Sequence, residues 1–142
     1  MENGEADLRL GSSNRRLDAT AIQQGVRKEC PFRPGLFVMV LPAASYNPRY
    51  RKALQNARAK LDAGEQTEFL SKYDSPEFVT EAFVADMDGL YDREGKPVPY
   101  TPERGLKILS AAQNADVLEW IANDAHAYGQ FYTEAVEADA GN

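Results

Sequence analysis

Cysteine, histidine and tryptophan each occur only once in these 142 residues. A lone cysteine, Cys30, excludes an internal disulfide and any cysteine-only metal cage. A lone histidine, His126, excludes a two-histidine zinc site. Long apolar runs are also missing. The longest, Leu36-Phe-Val-Met-Val-Leu41, is strand-sized, against the roughly 18 to 20 residues of a membrane span. The start, Met1-Glu-Asn-Gly-Glu-Ala-Asp7, lacks the basic and apolar segments of a secretory signal. A cytoplasmic protein with no membrane partner is therefore expected. Positive charge is scarce in the second half. Residues 73–142 hold four basic and fourteen acidic side chains, a net of −10, while residues 48–72 hold six and three, a net of +3. Nucleic-acid binding needs clustered Lys and Arg, so no nucleic-acid partner is expected. The one basic cluster, Arg49, Arg51, Lys52, Arg58 and Lys60, reads as a solvated helix face.

What is present suits one domain with a modest core. Residues 1–18 are polar and rich in Gly, Ser and Asn and read as a flexible tail. Residues 19–142 read as a single domain. Ala19–Gln24 suits a short turn. Two extended segments flank Pro31-Phe-Arg-Pro-Gly35, which predicts a β-hairpin over about 26–41. Helices are predicted over about 48–136. Asn47-Pro48, Ser75-Pro76 and Thr101-Pro102 each pair a capping residue with proline at the first helical position. Tyr50, Ala53, Leu54, Ala57 and Leu61 form one apolar stripe; Phe78, Val79, Ala82, Phe83 and Met87 form another. A short segment, Gln66–Tyr73, carries Phe69, Leu70 and Tyr73. A last helix from Asp116 to about Val136 has a main stripe through Val117, Ile121, Ala125, Tyr128, Tyr132 and Ala135. Its second stripe, Trp120, Ala127 and Phe131, is either core or a half-covered partner face. The expected class is α+β, mainly α-helical with an N-terminal β-hairpin.

The segment Asp86-Met-Asp-Gly-Leu-Tyr-Asp-Arg-Glu-Gly-Lys-Pro-Val-Pro-Tyr-Thr-Pro-Glu-Arg104 invites metal or phosphate chemistry, and its spacing refuses both. A calcium loop starting at Asp86 would need an acceptor where Leu90 stands, glycine at Tyr91 and glutamate at Pro97. Gly95-Lys96 lacks the upstream glycine of a P-loop and precedes Pro97, which has no N–H to offer a phosphate. Cys30 and His126 remain a conceivable nucleophile pair for a small hydrolase, with no motif around either. No catalytic residue, metal or cofactor is expected. The segment reads instead as a joint between two helices. Asp88-Gly89 would end the first, Asp92–Gly95 would turn, Pro97 and Pro99 would extend the chain, and Tyr100 would anchor it.

These residues also carry a resemblance. The order Ala21–Val26, a hairpin, Tyr46-Asn-Pro-Arg-Tyr-Arg-Lys-Ala-Leu54, then Met87–Glu103 and a helix with aromatics resembles the tail assembly chaperones of long-tailed bacteriophages and prophages, over residues 20 to 140. The turn Asp92-Arg-Glu-Gly-Lys-Pro-Val-Pro-Tyr-Thr-Pro-Glu103 is the most characteristic piece. The resemblance implies a non-enzymatic protein that binds the tape-measure protein, helps recruit tail-tube subunits, self-associates, and is absent from the mature virion. The alternative is a structural virion component such as a head–tail connector or tail completion protein. The residues expected to meet partners are Trp120 and Phe131 on the last helix and Leu36, Val38 and Val40 on the hairpin.

Overall fold

The computed structural model describes residues 15–62 and 75–134. The expected Gln66–Tyr73 segment lies outside them. The described chain is an α+β mix with strands throughout, which corrects the mainly helical class. Seven short strands in three sheets alternate with five α-helices. They are β1 (Arg15–Leu17), α1 (Ala19–Gln24), β2 (Val26–Glu29), β3 (Phe37–Val40), α2 (Pro48–Asp62), α3 (Pro76–Phe83), β4 (Val84–Asp88), β5 (Leu90–Tyr91), β6 (Pro97–Val98), α4 (Pro102–Ser110), α5 (Ala115–Asp124) and β7 (Tyr132–Glu134), with 3-10 turns at Ala112–Asn114 and Tyr128–Phe131.

The helix starts follow local chemistry. The Ser75 hydroxyl accepts from Phe78 N–H, and Thr101 accepts from Arg104 N–H. Asn47 caps α2 through Arg49 N–H at 3.0 Å. Its amide also donates to the carbonyls of Pro42 and Ala82. This buried side chain thereby ties the start of α2 to the end of α3, satisfying groups that would be costly to leave unpaired. Tyr50, Phe78 and Phe83 meet at ring separations of 5.7 to 6.0 Å, joining α2 and α3 in the core.

The hairpin is present, with Val26 opposite Val40 and Glu29 opposite Phe37. It is not isolated, because β4 pairs with β3 to make a three-stranded antiparallel sheet in the order β2-β3-β4. Strand β3 is therefore central, with a paired neighbour on each side. The expected helix through Met87 stops at Phe83 for the same reason. Val40 pairs with Val84 and Met39 with Asp86, so Ala85 is an extra residue where the register shifts. A bulge of this kind lets Val84 and Met87, three residues apart, both face the core. Met87, four residues after Phe83, nonetheless falls at helical spacing in the sequence.

The last helix is also shorter than expected. Beyond Asp124 the bonds tighten to Asn123–His126 and Asp124–Ala127 pairs. The Gln130 amide donates to the Asp124 carbonyl and carboxylate, supplying partners at the helix end. The chain then extends as β7, antiparallel to β1, with Leu17 opposite Tyr132. Arg15–Leu17 thus form a strand inside the stretch assigned to a tail. Trp120 and Phe131 do not share a helix face.

Candidate functional site

Three connections enclose an open apolar groove. The β2–β3 turn contributes Phe32, Arg33, Pro34 and Leu36, and the β4–β5–β6 segment contributes Met87, Gly89, Leu90, Tyr91, Asp92 and Val98. Helices α4 and α5 and the turn between them close the other side with Ile108, Asn114 and Val117. The cavity is about 640 Å³. Its floor is the partly or fully buried set Leu36, Met87, Leu90, Val98, Ile108 and Val117. Phe32 and Tyr91 rise from the rim, 43% and 65% exposed.

Local chemistry shapes this groove. The joint expected between two helices is a strand followed by a small hairpin, in which Leu90 pairs with Val98 and Tyr91 with Pro97. The acidic turn is as expected. Asp92 Oδ1 accepts from the N–H groups of Glu94 and Lys96, and Gly95 takes a φ of 81°. The Asp92 carboxylate is thereby directed into its own turn. Gly89, at φ 95°, allows the segment to pass the β2–β3 turn: a Cβ there would lie 2.1 Å from the Gly35 carbonyl oxygen. No side chain fits that approach.

The rim is cationic. Arg33 donates to the Gln113 carbonyl and pairs with Asp116 at 3.1 Å. Arg104 donates to the Pro99 carbonyl at 2.7 Å and has no ion pair among the described residues. Lys107, one helical turn on, is exposed and has neither a hydrogen bond nor an ion pair among them. A second cavity, beside α2 and α3, mixes signs: Arg49 and Lys52 face Glu77, Glu81 and Glu103.

Among the described residues, the remaining large exposed apolar side chains, Leu17, Tyr128 and Tyr132, gather at the β1–β7 ribbon. There Tyr128 O–H donates to the Ala43 carbonyl, Arg15 donates to the Gly129 carbonyl, and the Arg15 guanidinium lies 5.4 Å from the Tyr132 ring centre. Tyr46 joins them. Partial burial raises its pKa above 10.0, helped by Tyr132 and Tyr128 and by a hydrogen bond to Tyr132.

The structure distributes the expected partner residues widely. Val38, Val40 and Phe131 are fully buried. Trp120 and Leu36 are partly buried against the core, and Leu36 alone of the five lines the groove. Cys30 is buried in the core. His126 bonds the Ala122 carbonyl and packs against Phe83 and Tyr128; no hydrogen bond links it to Cys30 among the described residues. In the same set, no group of three or more His, Cys, Asp or Glu side chains could hold a metal ion. Sequence reasoning passed over Phe32, Tyr91, Arg104 and Lys107. Phe32 carried a signal: an aromatic held between Pro31 and Pro34 has little to pack on locally.

No helix of the described residues is long and apolar enough to cross a membrane. No curated protein and no solved structure matches the chain. Residues 45–142, more than half of the chain and the source of most of the groove, match the YdaY prophage protein model; the chain belongs to that family and is of phage or prophage origin.

Proposed function

We propose that this prophage protein is a tail assembly chaperone, a non-enzymatic module that binds the tape-measure protein and helps recruit tail-tube subunits. The open groove carries the reading. Exposed aromatics over an apolar floor are the anchoring arrangement of protein-binding surfaces, and an amphipathic helix is a common occupant of such grooves. The segment that resembles tail assembly chaperones supplies Met87, Gly89, Leu90, Tyr91, Asp92 and Val98 to this groove. The ribbon, with Leu17, Tyr128 and Tyr132 exposed, is a second surface, suited to self-association or the tail-tube protein. The protein acts in the host cytoplasm and leaves before the virion matures.

Expression with the tape-measure protein of the same prophage tests this. The two should co-purify, and the chaperone should be missing from purified particles. Its presence in particles would favour a connector or tail completion protein instead. Failure to co-purify would remove the tape-measure assignment.

A further inference from the structure

We infer that the groove selects an apolar segment flanked by carboxylates, through Arg104 and Lys107. The proposal rests on the protein-binding reading and specifies the chemistry of the partner. The groove has four charged lining residues: Arg33, Arg104, Lys107 and Asp92. Arg33 is paired with Asp116, and Asp92 is held by its own turn. Arg104 and Lys107 are left without counter-ions among the described residues. They stand three apart on α4, so they lie on one helix face about 5 to 6 Å apart at Cβ. The surrounding sequence is strongly acidic, with a net of −10 over residues 73–142. General repulsion should turn acidic partners away, except where these two cations face them.

The apolar floor supplies attraction of no particular sequence, while the two cations discriminate. An incoming helix with leucine or phenylalanine on one face would seat that face between Phe32 and Tyr91. A glutamate at its flank would meet Arg104 or Lys107. A lysine there would meet like charge. Charge complementarity of this kind sets specificity and orientation more than total affinity. The groove is open to solvent and its aromatics are exposed, which favours a polypeptide over a small enclosed ligand.

Two synthetic amphipathic helices with the same leucine and phenylalanine face, one flanked by glutamate and one by lysine, test the selection. Binding to the full chain is followed by fluorescence anisotropy. The glutamate peptide should bind about fivefold tighter at low salt, as expected for two exposed ion pairs, and the preference should shrink in high salt. Arg104→Glu with Lys107→Glu should reverse it, with an unchanged thermal midpoint showing that the fold is intact. Equal binding of both peptides, no binding of either, or a preference unmoved by the double variant would overturn the proposal. So would tighter binding of decanoate, which would mark a small-amphiphile pocket. A concentration-dependent dimer abolished by the double variant would assign the groove to a second copy and overturn it too. Co-purification with the tape-measure protein without charge selection would defeat this inference alone. Charge selection without co-purification would defeat only the tail assembly reading.

Discussion

In the groove, Phe32 and Tyr91 stand over an apolar floor, beside two cations with no counter-ion among the described residues. At the ribbon, Leu17, Tyr128 and Tyr132 are similarly exposed, but their polar neighbours are occupied: Tyr128 bonds Ala43 and Arg15 bonds Gly129. Exposed apolar area alone would rank these surfaces together. Unspent polar groups separate them. The ribbon satisfies itself and fastens two distant stretches of chain. The groove leaves charge and concavity available to another molecule.

Removing the ribbon's anchor should have the largest effect. Phe131 is fully buried beneath it, so Phe131→Ala should cost about 3 to 5 kcal/mol, read as a lower denaturant midpoint. A loss below about 1 kcal/mol, outside the usual range for such cavities, would mean that the ribbon is not tied to the core. On the groove side, Gly89→Ala should cost about 2 to 3 kcal/mol, because strain at positive φ adds to the clash with Gly35. It should weaken peptide binding as well. Unchanged affinity would show that the groove does not depend on this close passage.

Smaller changes divide the two surfaces more finely. Arg15→Ala should cost about 1 kcal/mol, with faster amide exchange confined to β1 and β7. Alkaline pH should also act on the ribbon. Tyr46 has a raised folded-state pKa, so the stability it contributes is complete below pH 10.0 and lost as pH rises through the raised value. Burial raises Tyr100 in the same direction, partly opposed by Arg49. Tyr46→Phe should therefore reduce, without abolishing, the alkaline loss seen in denaturation midpoints. Tyr91→Ala should change stability least, within about 0.5 kcal/mol, while weakening peptide binding. Intact binding would shift the anchor to Phe32.

Much of the local structure was legible. Ser75, Thr101 and Asp92 bond backbone groups within four residues of themselves, so their roles can be read from short spacing. The Tyr50–Ala57 stripe was legible because it lies on one continuous helix. Met87 misled because its four-residue spacing from Phe83 suits a helix, whereas a bulged strand can also turn it inward. Trp120 and Phe131 misled because a helix break rotates every later residue. The groove was illegible as a unit: Phe32, Tyr91 and Lys107 come from separate parts of the chain, and no periodicity links them.

By itself the sequence determined where most helices begin, where the acidic turn closes, and that neither calcium-loop nor P-loop spacing is present. Those outcomes depend on neighbours a few residues away or on composition. Tertiary structure alone decided that Val84–Asp88 is a strand, that β3 lies at the centre of its sheet, and that two α4 cations overlook an apolar floor. Strand pairing joins Met39 to Asp86, and such long-range contacts depend on the packing of the whole chain rather than on local preference.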